Sequence, residues 1–269
     1  MNRRQMLGMM GVLAAGTTMD ALPAAALKHT KAGLRIFDVT AHGAAGDGRT
    51  LDTAAVNQAI AACHAGGGGV VYLPPGILRD VMIENVHATG SILTSSITGL
   101  PGFDVKDVTL SNIRIDSDEE GNTNWVAREI PEVPQSSPEA RMFGRLPAYG
   151  FYCRHVKGLR MNHVEFKAAP GEERPALVCD GVKDLDIDGL RSASTAGTQP
   201  VIKLIQTRQA LLNNCSAPAG TKTFLEAQGD KTEHIVLMNS DLTGAEQAAQ
   251  TGAEVPKNAV LLSGNIGKA

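Results

Sequence analysis

The chain has 269 residues, 43% of them hydrophobic, enough to bury a substantial core in one elongated domain. With 25 basic against 28 acidic residues the net charge is -3, and no Lys/Arg run with interleaved aromatics occurs, which speaks against a nucleic-acid partner. Helical patterns are scarce beyond residue 65, while Gly (29 residues) and short apolar alternations are frequent, so many short strands are expected.

In chain order, Arg3-Arg4 precede an apolar stretch from Met6 to Ala15, and Pro23-Ala24-Ala25-Ala26 offers small residues for cleavage. Residues 1–26 are therefore expected to be an export signal rather than part of the fold. Twin arginines resemble a bacterial Tat signal, while the interruptions at Gly11, Gly16, Thr17 and Thr18 keep the Sec route open. The stretch is shorter than the ~20 residues that span a bilayer, so no stable membrane insertion is expected after cleavage. The mature chain then starts near Leu27 and resides in the periplasm or outside the cell.

Residues 27–76 read as an N-terminal cap module. Phe37-Asp38-Val39 is a short strand, Gly43 to Gly48 a turn-rich loop, and Asp52 is placed as the N-cap of a helix that ends before Gly66-Gly67-Gly68-Gly69. Val70-Val71-Tyr72-Leu73 is a buried strand and Pro74-Pro75-Gly76 a stop. A stacked fold needs an amphipathic lid over its first exposed rung, and this helix is the candidate. The Gly run lacks a following Lys-Ser/Thr, which argues against a phosphate loop.

From residue 77 a short phrase recurs: apolar, any, apolar, any, Asn-like, apolar. It begins at Val81, Val108, Leu159, Leu185, Ala210 and Ile235, with spacings of 27, 51, 26, 25 and 25 residues. A fixed period of this size marks a stacked solenoid, and 51 is two periods, so one coil is expected to be replaced by a long loop at 116–147. That excursion, with Trp125, either carries function or packs on the flank. The fifth phrase position (Asn85, Asn112, Gly189, Asn214, Asn239) suits a left-handed bend; His163 is the awkward member. A second strand precedes each later phrase, at 149–153, 176–179, 201–205 and 223–226. The expected fold class is all-β, a single-stranded right-handed parallel β-helix over residues 77–269 with a short N-terminal capping helix.

Cys153 and Cys179 each lie six residues before a phrase, and Leu204 holds the equivalent slot in the next coil. Such a shared slot is an internal ladder in which free Cys acts as a small hydrophobe, so buried thiols are expected, with a disulfide as the alternative. The seven His show no paired ligand spacing, so neither a metal nor a cofactor is expected. Asp184, Asp186 and Asp188 alternate around inward Leu185 and Ile187, with Arg160 and Asn162 one coil away. Alternate strand residues stand ~6.6–7 Å apart, within the ~6.5–9.5 Å that an inverting glycosidase needs between its carboxyl groups. The competing reading is a solvated strand face without chemistry. Tyr149, Arg154 and His155 offer stacking and hydrogen bonds to a sugar, or packing at the strand edge.

The Phe37 to Gly48 segment, the Asp52-Thr53-Ala54-Ala55 helix and Tyr72-Leu73-Pro74-Pro75-Gly76 resemble the entry module of pectin-active β-helix proteins, among them the polygalacturonases of glycoside hydrolase family 28. The run from Val81 through Pro147-Ala148-Tyr149-Gly150-Phe151-Tyr152 to Ala217 resembles their late coils. The resemblance implies a hydrolase of pectic, acidic plant polysaccharide. That family's Asn-Thr-Asp, Asp-Asp, Gly-His-Gly and Arg-Ile-Lys motifs do not occur: Asn122-Thr123-Asn124 lacks the acid, and Ala41-His42-Gly43 belongs to the entry turn. Only four residues separate Gly76 from Val81, where the family carries several coils. The expectation is a polygalacturonase-like chain with impaired or absent catalysis, its catalytic residues unknown, and Tyr149, Arg154, Asp186 and Asp188 as candidate sugar contacts. The alternatives are a non-catalytic carbohydrate-binding β-helix and an adhesin-like structural solenoid. A monomer is expected.

Overall fold

A computed structural model describes residues 35–47, 50, 52–73, 80–132, 142–193 and 199–267, all within the compact unit Leu34–Ala269. The expected export signal at 1–26 and the Pro74-Pro75-Gly76 stop lie outside the described residues.

The cap comprises β1 (Ile36–Asp38), α1 (Thr53–Ala65) and β2 (Val70–Tyr72), with β1 and β2 paired in parallel as a separate sheet. Because these strands do not join the solenoid ladders, the cap imposes no register on the first coil. Val56 and Ala59 of α1 and Val39 are buried in the same core as Val81, so the helix does close the first rung. Asp52 corrects its expected role. It precedes α1 but its side chain makes no capping bond. With φ -88° and ψ 4° it turns away from the helix, and its buried carboxylate accepts the amides of Ala45 (2.7 Å) and Gly46 (3.0 Å). Asp52 thus staples the Gly-rich loop to the helix. Asp52→Ala strands two amide donors and is expected to destabilise the protein by about 1–3 kcal/mol, read by thermal denaturation; a midpoint equal to wild type would refute the staple.

The solenoid follows as β3 (Val81–Ser91), β4 (Ser95–Thr98), β5 (Val105–Ser117), α2 (Thr123–Val126), β6 (Phe151–Arg154), β7 (Val156–Lys167), β8 (Leu177–Asp180) and β9 (Lys183–Asp188). It continues through β10 (Arg191–Ser192), β11 (Ile202–Ile205), β12 (Arg208–Asn213), β13 (Thr221–Gln228), β14 (Glu233–Met238), β15 (Asp241–Leu242), β16 (Ala245–Thr251), β17 (Val260–Ser263) and β18 (Ile266–Gly267). Strands β3, β5, β7, β9, β12, β14 and β17 stack in that order as sheet 1, and β4, β6, β8, β11, β13 and β16 as sheet 2, all pairings parallel.

The phrases align residue for residue: Val81, Val108, Leu159, Leu185, Ala210, Ile235 and Val260 form one column. Each of these side chains that is fully buried contributes ~1.5–3 kcal/mol, and a slip of one residue would turn the whole set outward. The Cys153, Cys179 and Leu204 slot is likewise one column of sheet 2, and all three of Cys153, Cys179 and Cys215 are buried and free.

Left-handed residues turn the corners. The fifth phrase position has φ near +50° in Asn85, Asn112, His163, Asn214 and Asn239 and +78° in Gly189. His163 therefore shares the Asn conformation. Its bend also explains the phrase: Leu159 and Met161 point inward, then a three-residue step lets Val164 and Phe166 do so. A second left-handed column at Asp80, Asp107, Gly158, Asp184, Gln209 and His234 immediately precedes each phrase.

The doubled spacing is taken up by a long loop, as expected. Val108 pairs directly with Leu159, so no coil is missing between them. The long segment is inserted between β5 and β6 within one coil, and Asp116 and Ser117 belong to β5 rather than to the excursion.

Candidate functional site

The four candidate sugar contacts fall in three places. Tyr149 is only 2% exposed, its ring in the main core, so it is closed to a surface sugar. Its hydroxyl lies beside Ser192 and the Ala193 backbone without well-formed hydrogen-bond geometry, and burial pushes its pKa up.

Asp186 and Asp188 lie together on the outer face of sheet 1, opposite Arg160 and Asn162 as the spacing implied. Their surroundings are ladder-like: Asn213 Nδ2 donates to Asp188 Oδ1 at 3.1 Å and Asn239 Nδ2 to Asn213 Oδ1 at 3.1 Å. Arg160 pairs with Asp184 at 3.9 Å rather than with Asp186. Such partners satisfy the strand face.

Arg154 stands on the other sheet, at the centre of a polar cluster. Its outward column runs Thr98, Arg154, Asp180, Ile205. Arg154 donates from NH1 to the Ile130 carbonyl (2.8 Å), pairs through NH2 with Glu132 Oε1 (2.5 Å), and places Nε 3.3 Å from Asp180 Oδ2. That last approach is an ion pair without hydrogen-bond alignment, leaving Nε buried and unsatisfied. His155 Nε2 meets the same Glu132 Oε1 at 2.7 Å, and Tyr152 donates its hydroxyl to Asp180 Oδ2 at 3.5 Å. Burial pushes the Asp180 carboxyl up from its ordinary range, against the opposing pull of Arg154 and His155. The arrangement thus juxtaposes a guanidinium, an imidazole, a phenol and two carboxylates at a half-open surface. Arg154 itself is 14% exposed and Glu132 34%.

The excursion frames this cluster. Ile130, Leu146 and Ala148 from it pack with Tyr152 and Val178 on the outer face of sheet 2. Its base is pinned by Arg174, which is fully buried and forked onto Glu172 through Nε and NH2, both at 2.8 Å. Arg174 NH1 also reaches Glu119 at 3.2 Å, and Arg145 pairs with Glu119. The Trp125 ring has both guanidinium groups 5.1 Å from its centroid, so it serves as a clamp and is not a free stacking platform.

Of the residues that sequence reasoning missed, Asp180 carried a signal. It follows Arg154 by the same 26-residue step that aligned Cys153 with Cys179. Glu132 carried none, since an excursion has no period. Among the described residues no three His, Cys, Asp or Glu side chains gather to hold a metal ion, and no helix is long and apolar enough to cross a membrane.

Residues 36–79 match the family model described as rhamnogalacturonase A/epimerase, pectate lyase-like. That segment is the cap. Mannuronan C5-epimerase AlgE1 of Azotobacter vinelandii is 56% identical over 109 residues, covering 29% of this chain and 8% of the relative. Alginate lyase 7 of the same organism is 54% identical over 82 residues, covering 26% of this chain and 10% of the relative. The chain therefore spans a tenth or less of these curated relatives. Among solved structures, a putative glycosyl hydrolase from Parabacteroides merdae aligns with 86% of this chain and 97% of its own at 12% identity and a TM-score of 0.27. The A-module of Azotobacter vinelandii mannuronan C-5 epimerase AlgE4 aligns with 86% and 77% at 17% identity and a TM-score of 0.26.

Proposed function

We propose that this chain is an exported β-helix protein that engages an acidic polysaccharide through the outer face of sheet 2, with Arg154 as the contact for a uronate carboxylate. The Arg154 cluster is the observation that carries the reading: a guanidinium held by the frame, next to an imidazole, at a half-open surface matches a planar carboxylate. The pectate-lyase-like cap supports a polysaccharide ligand. Export is supported by Arg3-Arg4 and the apolar run that follows.

Pectic galacturonan is the ligand favoured by the resemblance of the entry module to polygalacturonases, and in that lineage the absent Asp motifs leave the chain without hydrolytic turnover. Mannuronan is the second reading, favoured by the matched epimerases and the alginate lyase. Both polymers repeat a uronate carboxylate, so Arg154 serves either. The outward neighbour Lys203, paired with Glu226 at 3.7 Å, extends the polar track along the next rungs.

Calorimetric titration with oligogalacturonate and with oligomannuronate tests the proposal, alongside an assay for reducing ends. Binding without new reducing ends is expected, and Arg154→Ala should weaken it about 10- to 100-fold, the worth of a charge-assisted hydrogen bond. Unchanged affinity in Arg154→Ala, or no binding of either oligosaccharide at millimolar concentration, would overturn the reading.

A further inference from the structure

We infer that Glu132 is an internal occupant of a carboxylate-binding subsite formed by Arg154 and His155, so that a uronate must displace it to bind. The inference rests on the assignment of Arg154 as the uronate contact and adds how that contact is regulated. Three observations carry it. First, a single oxygen, Glu132 Oε1, takes both the Arg154 guanidinium at 2.5 Å and the His155 imidazole at 2.7 Å, the convergence that a captured carboxylate presents. Second, the two halves have different origins. Arg154 ends β6, and His155 occupies the corner that Gly181, Gln206 and Gly229 hold in later coils, all with positive φ. Both basic groups therefore belong to the repeating frame, whereas Glu132 belongs to the excursion and has no counterpart in the ladder. Third, the acid enters from the solvent side: its side chain is 34% exposed, against 14% for Arg154 and 22% for His155. Beneath lie Asp180, its Oδ2 3.3 Å from Arg154 Nε, and the Tyr152 hydroxyl, which donates to Asp180, so the rung side of the guanidinium is occupied and Glu132 holds the more exposed side.

Competition of this kind lowers apparent affinity by the fraction of molecules whose subsite is open. Glu132→Gln keeps an acceptor of the same size but loses the charge that holds Arg154, so the open fraction rises. Titration of trigalacturonate and trimannuronate into the intact protein should give a Kd about tenfold lower for Glu132→Gln than for wild type, corresponding to an open fraction rising from about a tenth towards unity. Glu132→Asp, with a side chain one methylene shorter, should also tighten binding and guards against a variant that misfolds. The double variant Glu132→Gln/Arg154→Ala should lose the gain. Equal or weaker affinity in both Glu132 variants, with Arg154→Ala still impaired, would overturn the internal-occupant inference while leaving Arg154 as the contact. Unchanged binding in Arg154→Ala would overturn both.

Discussion

Arg174→Leu is expected to lower the unfolding free energy by about 3–5 kcal/mol, the usual cost of removing one partner from a buried ion pair. The side chain has no access to solvent and neither does that of Glu172, so the variant leaves a carboxylate in the interior. Three amides remain to it, from Gly121, Glu173 and Arg174 itself, which is why the loss stays finite. More than one contact goes with the guanidinium: its approaches to the Leu146 carbonyl and to Thr94, its pair with Glu119 and its seat over Trp125 all disappear. For a chain of this size the melting midpoint should fall by on the order of 10 °C. Pairing the change with Glu172→Gln should recover part of that loss, because the stranded charge is removed; with Glu172→Gln measured alone as well, the departure of the double variant from the sum of the two singles is the coupling energy of the pair. A midpoint within a degree or two of wild type in the single variant would show that the excursion does not depend on this anchor.

Phe166→Ala is expected to cost about 3–5 kcal/mol through the cavity it leaves. Phe166 is fully buried at the end of β7, with the Phe151 ring centroid 6.1 Å away and the two planes tilted by 49°. Gly150 shows how close the packing is: a Cβ there would stand 2.8 Å from Phe166 Cγ and 2.6 Å from the Ala176 carbonyl oxygen. The ring packs between β6 and β7 of one coil, so truncation should loosen that coil. Chemical denaturation reads the change as a shift in midpoint with little change in slope. A loss under about 1 kcal/mol would mean that the neighbours collapse into the space.

Much of this architecture was legible because a solenoid writes its register into its period. The column from Val81 to Val260 and the slot shared by Cys153, Cys179 and Leu204 both follow from counting about 25 residues. Even His163, odd by residue type, was correctly placed by the frame. The Arg154 to Asp180 step was written in the same way. What counting could not reach is whatever the frame does not repeat. Glu132 and Glu119 find their partners through the path of an aperiodic excursion, Glu172 meets Arg174 within the connection from β7 to β8, and Asp52 bonds the loop amides instead of capping its helix. The burial of Tyr149 was hidden for a related reason: aromatic type says nothing about which way a residue faces.

The excursion between β5 and β6 also bears on how such a chain acquires new surfaces. Rungs that normally close over 25 to 27 residues here close over 51, from Val108 to Leu159, and the ladder continues without a shift in register at that step. Doubling a closed loop adds only about 0.6 kcal/mol of closure entropy, less than one good hydrogen bond. A stack of parallel rungs thus admits a whole loop's worth of foreign sequence almost free of topological penalty, provided that something buried ties the newcomer down, here the Arg174–Glu172 pair through its bonds to Leu146, Glu119 and Gly121.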